Sequence, residues 1–515
     1  MAKLLQWNIL ADGLGNDGFL STEFEPIREN SKPNAKSYQA VEFMTLVREA
    51  KLSDKSSGVL KDMNDLKKEG KKLKSIKSKD SSEYKETQSK VASLKAKIDQ
   101  NSKLVQLKEQ FKDSPELEKI DQDILSWELR YDRLKKIALA VDPDIITFQE
   151  LDHLQQFTED PDFNAKYTCF VDDDTLEYKT PIYTDDPAKD ERRPENYLSH
   201  VLASRTSFAP KSYSHAYNFR KKRKDGSTDV DDDGVAIFWK KDRFQPLELG
   251  FLKLPSDGEK SEAVVAVVLV DEGTGAKFNV LTTHLPSGDE AKKEVERLKT
   301  LRDINAEWKA SRIRLSKASG AWEENDYGGI DFNGILSFVK YYSDSYGTTT
   351  IFALDANSRP TFPLTKVSEE EKATNVWQQI LSYTGLESVW TKTKFIKAVD
   401  GTAVDKDLPY VVSVNKMRGP ASQQPGKIGE HQLELIDHVY TNGNTAKLVN
   451  TVTMADGETI KMAPLQYKGK EGKAELELNP TSKMPSDHLP VAVEISVYKA
   501  SSWQSLSSLL LYCKK

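Results

Sequence analysis

Asn8, Glu150, His284, Asp355 with Asn357, Asp437, and Asp487 with His488 each stand directly before or after an apolar or β-branched run. Taken singly, such residues also occur in ordinary turns and solvated strand ends. Taken together they supply carboxylates, amides and imidazoles, the groups that hold a hard cation, polarise a phosphate and generate a nucleophile from water. The chain has only seven histidines, and two of them fall at these strand ends. Mg²⁺ takes oxygen ligands at about 2.0–2.1 Å, keeps several waters and uses one or two carboxylates plus substrate phosphate. Glu150 with neighbouring aspartates suits that ion, with Mn²⁺ as the alternative, whereas no Cys/His cluster has zinc spacing. An Asp437 carboxylate accepting from one ring nitrogen would fix the tautomer of His488 and raise its basicity. Such a histidine binds a phosphate as a cation or moves a proton, assistance worth roughly 10²- to 10⁴-fold in rate. Asp355 and Asn357 would orient the attacking water and a phosphate oxygen. No Ser, Cys or Thr lies in a nucleophile-elbow context, so direct attack by water is expected.

The elements that must position these groups follow from periodicity. Residues 3 to 10 read as a buried strand, and Ile145 to Phe148 as another, ending at Gln149-Glu150. Further strand-like runs cover Gly234 to Trp239, Ala263 to Val270, Phe278 to Thr283, Thr349 to Leu354, Leu435 to Tyr440 and Leu489 to Val497. Helical patterns lie between several of them, at 127–142, Glu290 to Lys309 and Ala373 to Leu381, which makes an α/β pattern. Polar clusters at the strand ends would then share one rim of a sheet, where layered α/β folds build their sites.

Between about Ala50 and Lys112 the composition turns rich in Lys, Glu, Ser and Gln, with no Pro. Val59, Met63, Leu66, Gly70 and Leu73, then Val91, Leu94 and Ile98, recur at alternating three and four spacing, a coiled-coil-like seam in two blocks. With a turn near residues 78–82, this predicts an antiparallel helical hairpin inserted into the body, read first as a solvated insertion with no specific partner and, as the alternative, as a place where a protein partner would dock. A body over 1–498 and a tail over 499–515, read as a short packed helix, complete the expected organisation.

At 515 residues, 38% hydrophobic and 9% aromatic, the chain has material for a sizeable core. A formal net charge of −6 supplies no global basic field for a long nucleic acid, so a polyanionic substrate must be held locally. Two cysteines, Cys169 and Cys513, give no disulfide framework. No apolar run approaches the ~20 residues that span a bilayer, and the N-terminus does not resemble a secretory signal. A cytoplasmic protein is expected, with the nucleus as the alternative. The basic run Arg220-Lys221-Lys222-Arg223-Lys224, with Tyr217 and Phe219 beside it, is a candidate for holding substrate phosphates.

Gln6-Trp7-Asn8-Ile9-Leu10, Phe148-Gln149-Glu150, Asp233 to Phe238, Thr283-His284-Leu285, Leu354 to Pro360, Ile436-Asp437-His438 and Pro485 to Pro490 resemble, in order, the motifs of the endonuclease/exonuclease/phosphatase superfamily. The Trp127–Arg133 helix, the DGVAIFWK strand and the Glu296-Arg297 helix after THL are similar to the branch holding yeast-type catalytic deadenylases and nocturnin. The resemblance implies a deoxyribonuclease I-like four-layer α/β sandwich, two packed mixed β-sheets flanked by helices. It also implies Glu150 as magnesium ligand and Asn8 as the amide positioning phosphate and metal. His284 would approach the scissile phosphate, Asp355 and Asn357 would align the nucleophile, and Asp437 would support His488 beside Asp487.

The fourth motif reads Leu-Asp-Ala-Asn where relatives carry Gly-Asp-Phe-Asn, keeping the functional pair. The segment Glu430-His431-Gln432-Leu433-Glu434 lacks the aromatic residue that the deadenylase pattern places before the aspartate, leaving His431 as the candidate base contact. The expected activity is hydrolysis at an RNA 3′ end, as a 3′-5′ exoribonuclease of deadenylase type. The alternative is a 2′-phosphatase acting on NADP(H), or another small phosphoester phosphatase. A non-catalytic scaffold built around the hairpin is the reading from a different class.

Overall fold

A computed structural model of the chain describes residues 1–11, 19, 46, 49–50, 52–76, 78, 81–111, 124–151, 153–168, 221–222, 228–229, 234–254, 262–288, 291–302, 308–315, 322–325, 327–345, 348–395, 410–418, 431–467 and 479–497. Two mixed sheets pack face to face with helices outside them. The first runs in the order β15 (Ala446–Leu448), β16 (Val491–Ile495), β1 (Ala2–Asn8), β2 (Ile145–Gln149), β4 (Val235–Lys240) and β3 (Tyr167–Thr168). The second runs β9 (Trp322–Asn325), β8 (Lys309–Leu315), β5 (Phe244–Leu254), β6 (Glu262–Asp271), β7 (Lys277–His284), β10 (Thr349–Asp355), β14 (Asp437–Thr441) and β11 (Glu387–Ser388).

Alternation along each strand assigns the layers. On β2, Phe148 points outward to Phe157, while Gln149 points inward and its amide donates to Thr282 Oγ1 on β7 at 2.9 Å. Helix α4 (Trp127–Val141) buries Trp127, Arg130, Tyr131, Leu134, Ile137, Ala138 and Val141, a stripe at helical spacing. It ends at Asp142 in the left-handed conformation, just before Pro143. Two short helices, α5 (Leu154–Glu159) and α6 (Pro161–Lys166), follow β2. On the outer face of the second sheet lie α8 (Ile335–Ser345) and α9 (Val376–Thr384). Tyr342 of α8 accepts from Asn279 of β7 through its carbonyl, and Trp377 of α9 meets the His438 ring of β14 edge-on. This is the layered α/β sandwich expected from the sequence.

The helical hairpin is present as α1 (Val59–Ser75) and α2 (Ser82–Asn101), followed by α3 (Lys103–Phe111). Ion pairs Lys72–Glu83, Lys90–Glu69 and Lys97–Asp62 run in opposite directions along the two helices, so they are antiparallel. Val59 and Ile98 of the seam are buried. Buried Asp54 accepts from the backbone N–H groups of Lys103 and Leu104 and from the Ser102 hydroxyl, which caps α3.

Two helix boundaries differ from expectation. Among the described residues of the pattern from Glu290 to Lys309, α7 (Ala291–Leu301) is helical, and Lys309 instead opens β8. Residues 309–314 are claimed by six-residue register with β5, and that ladder outweighs the local helical spacing. The helix expected at Ala373–Leu381 starts at Val376, because the Asn375 side chain caps it by accepting from Gln378 N–H, and Gly385 closes it in the left-handed region. The tail 499–515 lies outside the described residues.

Candidate active site

Topology brings the scattered motifs to one rim. β1 and β2 are parallel with Asn8 opposite Gln149, and β7 and β10 are parallel with His284 opposite Asp355. The C-terminal ends of all four therefore coincide. β14 is antiparallel to β10 with Asp437 opposite Asp355, and β16 is antiparallel to β1, so their N-terminal ends arrive at the same rim. His488 lies just before β16.

Asp355, fully buried, is the hub. Its Oδ2 accepts from Asn8 Nδ2 at 2.9 Å and lies 3.3 Å from His284 Nε2 and 3.8 Å from His488 Nε2. Its Oδ1 accepts the Asn357 backbone N–H at 2.8 Å. Asn8 Oδ1 accepts from Leu10 N–H, so both ends of that amide are committed to positioning Asp355 and the turn after β1. Glu150 Oε2 accepts from Ala11 N–H at 3.2 Å, and its Oε1 lies 3.8 Å from His284 Nε2. The Asn357 amide nitrogen donates to Leu285 O at 2.9 Å and lies 2.8 Å from His284 Nε2. Leu10, Glu150 and Asn357 hold φ of 59°, 55° and 47°. Left-handed backbone is costly for non-glycine residues and persists where surrounding structure dictates it, as at this rim.

Glu150, His284 and Asp355 each place one ligand atom within 4.8 Å of the others, all three residues buried. Two carboxylates and an imidazole converging in this way form a set that fits a divalent cation. The two carboxylate oxygens match the preference of Mg²⁺.

The opposite side of the hub holds the His488–Asp437 pair. His488 Nδ1 lies 2.8 Å from Asp437 Oδ2 and donates to it. Asp437 also accepts from Gln6 Nε2 at 3.0 Å and from Ser413 Oγ at 2.7 Å. Burial opposes a charged His488, but Asp437, Asp487 and Asp355 prevail and push it up to about 9. Burial likewise works against ionised Asp355, yet His488 and His284 hold that carboxyl well below the usual carboxylate range. At neutral pH the site thus pairs an imidazolium with a carboxylate.

Several contributors were not in the sequence-derived set. Lys416 lies on β12 (Val414–Met417), which pairs with β13 (His431–Glu434), and its ammonium forms an ion pair with Asp487. Burial disfavours both charges; Asp487 raises Lys416, while Lys416 and His488 lower Asp487. Arg130 of α4, fully buried, donates to the carbonyls of Pro485, Ile9 and Leu10, tying the first and last motifs together. Arg297 donates to Pro286 and Gly288 carbonyls and to Glu294, which in turn accepts from Ser358 Oγ and Val376 N–H. That pair pins the loops following His284 and Asn357. Charged residues on otherwise apolar helix faces were the available signal for Arg130 and Arg297; nothing local marks Ser413 or Lys416.

The structure brings together Asn8, Glu150, His284, Asp355, Asn357, Asp437, Asp487 and His488. Arg220 and Arg223 and the side chains of Lys222 and His431 lie outside the described residues. The backbones of Lys222 and His431 take part in short antiparallel strands.

No family model and no curated protein matches the chain. Solved structures similar to it include the human nocturnin catalytic domain, at 14% identity and a TM-score of 0.35, covering 72% of this chain and 88% of that one. ANGEL2, a 2′,3′-cyclic phosphatase, is similar at 12% identity and 0.36, covering 75% and 91%. A mannosyl-6-phosphatase of Bacteroides thetaiotaomicron is similar at 13% and 0.33, covering 72% and 91%. These values describe likeness and assign no activity to the chain.

Proposed function

We propose that the chain is a divalent-metal-dependent hydrolase of phosphoester bonds that uses water directly as nucleophile. The observation that carries this reading is the hub at Asp355, which lies within 4 Å of both His284 and His488 while Asn8 fixes its orientation. Glu150 and Asp355, with His284 beside them, are the residues that would hold Mg²⁺. Bound there, the ion would supply Lewis-acid polarisation of a phosphoryl oxygen.

The chain's own groups account for the rest. Asp355, kept ionised, orients the attacking water, whose proton passes to solvent as the new O–P bond forms and the ester P–O bond breaks. Asn357 aligns that water. His488, kept cationic by Asp437, stabilises charge on the phosphoryl oxygens, and a proton from it or from solvent reaches the departing oxygen. Electrostatic stabilisation of this preorganised kind is usually the largest catalytic contribution.

The substrate proposed first is an RNA 3′ end, cleaved in the 3′-5′ direction, with poly(A) as its natural form. A second reading is removal of the 2′-phosphate from NADP(H). It is favoured by the absence of Phe, Tyr or Trp from 430–434, since aromatic stacking is worth ~1–3 kcal/mol per base. Incubation with Mg²⁺ and either labelled poly(A) or NADP(H) separates them. Phosphate release from the dinucleotide with intact RNA would overturn the first reading.

A further inference from the structure

Arg359 stands on the loop that leaves β10, two residues beyond Asn357, so their Cα atoms are at most about 7 Å apart. Its Nη1 donates to Glu434 Oε1 at 2.6 Å, and the other Glu434 oxygen accepts from Gln432 Nε2 at 3.2 Å. Gln432 and Glu434 lie two apart on β13, and Lys416 of β12 is opposite Gln432, so the three side chains share one face of that ribbon. Lys416 reaches Asp487 from this face, which therefore looks onto the site. Burial pushes the Arg297 pKa down, and Glu294, Asp355 and Glu434 all oppose that shift. Glu434 thus acts on the same buried guanidinium as the hub.

The Arg359 guanidinium is held in place with one edge left over. Its carbon lies 5.4 Å from the centre of the Phe362 ring, which is 7% exposed and serves as a fixed platform. Phe362 N–H donates to Arg359 O at 2.9 Å and closes the turn between them. The Arg359 side chain is nevertheless 41% exposed. An arginine carries five N–H donors in a planar fork, and Glu434 is bound through Nη1. The Nε–H and the adjoining N–H of Nη2 form the other edge, and neither has an acceptor among the described residues. That edge matches two oxygens of one phosphate, on a side chain already ordered before the ligand arrives.

We propose that Arg359 is a specificity-determining residue that holds a second phosphate of the substrate through its Nε–Nη2 edge, while the scissile phosphate lies at Asp355 and His488. The inference rests on the hydrolase reading above and narrows its substrate to compounds with more than one phosphate. A neighbouring phosphodiester of a nucleic-acid strand and the pyrophosphate of a dinucleotide offer the fork the same oxygens. The contact is made before and during reaction alike, so its loss falls on substrate binding.

The test measures affinity in EDTA and turnover in Mg²⁺, both on the full chain. Two matched pairs of probes are used: tetraadenylate against the dinucleoside monophosphate ApA, and NADPH against adenosine 2′-monophosphate. Wild type is expected to bind the multiply phosphorylated member of one pair about 10-fold tighter or more. The pair that shows this preference names the source of the second phosphate. Arg359→Ala should bind both members of that pair equally, with the loss in turnover carried by KM and not by kcat. Arg359→Lys, a cation without the fork, should recover only part of the preference. No preference in either pair for wild type, or an undiminished one in Arg359→Ala, would overturn the inference and leave the hydrolase reading standing. So would a cooperatively melting Arg359→Ala protein that binds both members more weakly by the same factor, the result of a merely structural role. A preference that depends on Arg359, without hydrolysis of any probe in Mg²⁺, would instead overturn the hydrolase reading.

Discussion

The Ser413 hydroxyl donates to Asp437 Oδ2 at 2.7 Å while its oxygen accepts the backbone N–H groups of Ile436 and Asp437, each at 3.1 Å. Both acceptor sites of that oxygen are occupied, so its single proton is directed at the carboxylate. Gln6 Nε2 likewise uses one hydrogen on Asp437 Oδ1 and the other on Gln149 Oε1. Asp437 is thereby held as an acceptor, and His488 must present N–H at Nδ1. Ser413→Ala is expected to lower kcat on the order of 10-fold or more, with KM little changed, as is typical when a supporting partner of a functional group is lost. Ser413→Thr should recover much of it. Equal turnover in wild type and Ser413→Ala would remove the hydroxyl from the mechanism.

Glu150 offers a second check, through stability as well as rate. A ligand present at 100 times its Kd stabilises the native state by about 2.7 kcal/mol. Saturating Mg²⁺ should therefore raise the Tm of the wild type. Glu150→Gln should abolish both that increase and phosphoester hydrolysis while retaining a cooperative melt. A variant whose Tm still responds to Mg²⁺ as the wild type does would place the ion elsewhere.

His438 governs a pH effect separate from catalysis. It is fully buried, its Nε2–H donates to the Ser358 carbonyl at 2.9 Å, and burial drives its pKa from 6.5 down to about 4. A histidine with a depressed native pKa binds fewer protons folded than unfolded. Its contribution is complete above pH 6.5 and is lost as pH falls through about 4, on the order of 3 kcal/mol in all. Urea denaturation between pH 7 and pH 4 should show this loss, and His438→Gln should flatten that part of the curve. An unchanged pH slope in the variant would assign the loss to other groups.

Arg130 tests how the rim is held together. Replacing it with Met leaves the carbonyls of Ile9, Leu10 and Pro485 without their donor in a buried setting. The expected cost is about 3 kcal/mol or more, with hydrolysis falling as the turns carrying Asn8 and His488 separate. A loss under about 1 kcal/mol in chemical denaturation would mean that those turns do not depend on the guanidinium.

Much of this molecule was written locally. Alternating and continuous apolar runs marked β1, β2, β7 and β10, because side-chain period follows directly from strand geometry. Polar residues at their ends named the rim set from Asn8 to His488, and the three-four spacing after Val59 marked the antiparallel hairpin. What local spacing misjudged was the stretch up to Lys309, where pairing with β5 decided between helix and strand.

Tertiary structure alone decided how the rim set works. Gln6 reaches Asp437 across 431 positions of sequence, and Lys416 reaches Asp487 across 71. Contacts over such separations depend on sheet order and register, which no residue pattern within a strand specifies. The same holds for the left-handed backbone at Leu10 and Glu150, residue types with no local preference for it. The sequence determined which groups stand at the strand ends. Folding decided that Asp355 would be their hub, that Ser413 would orient the Asp437–His488 pair, and that a lysine would sit among the carboxylates.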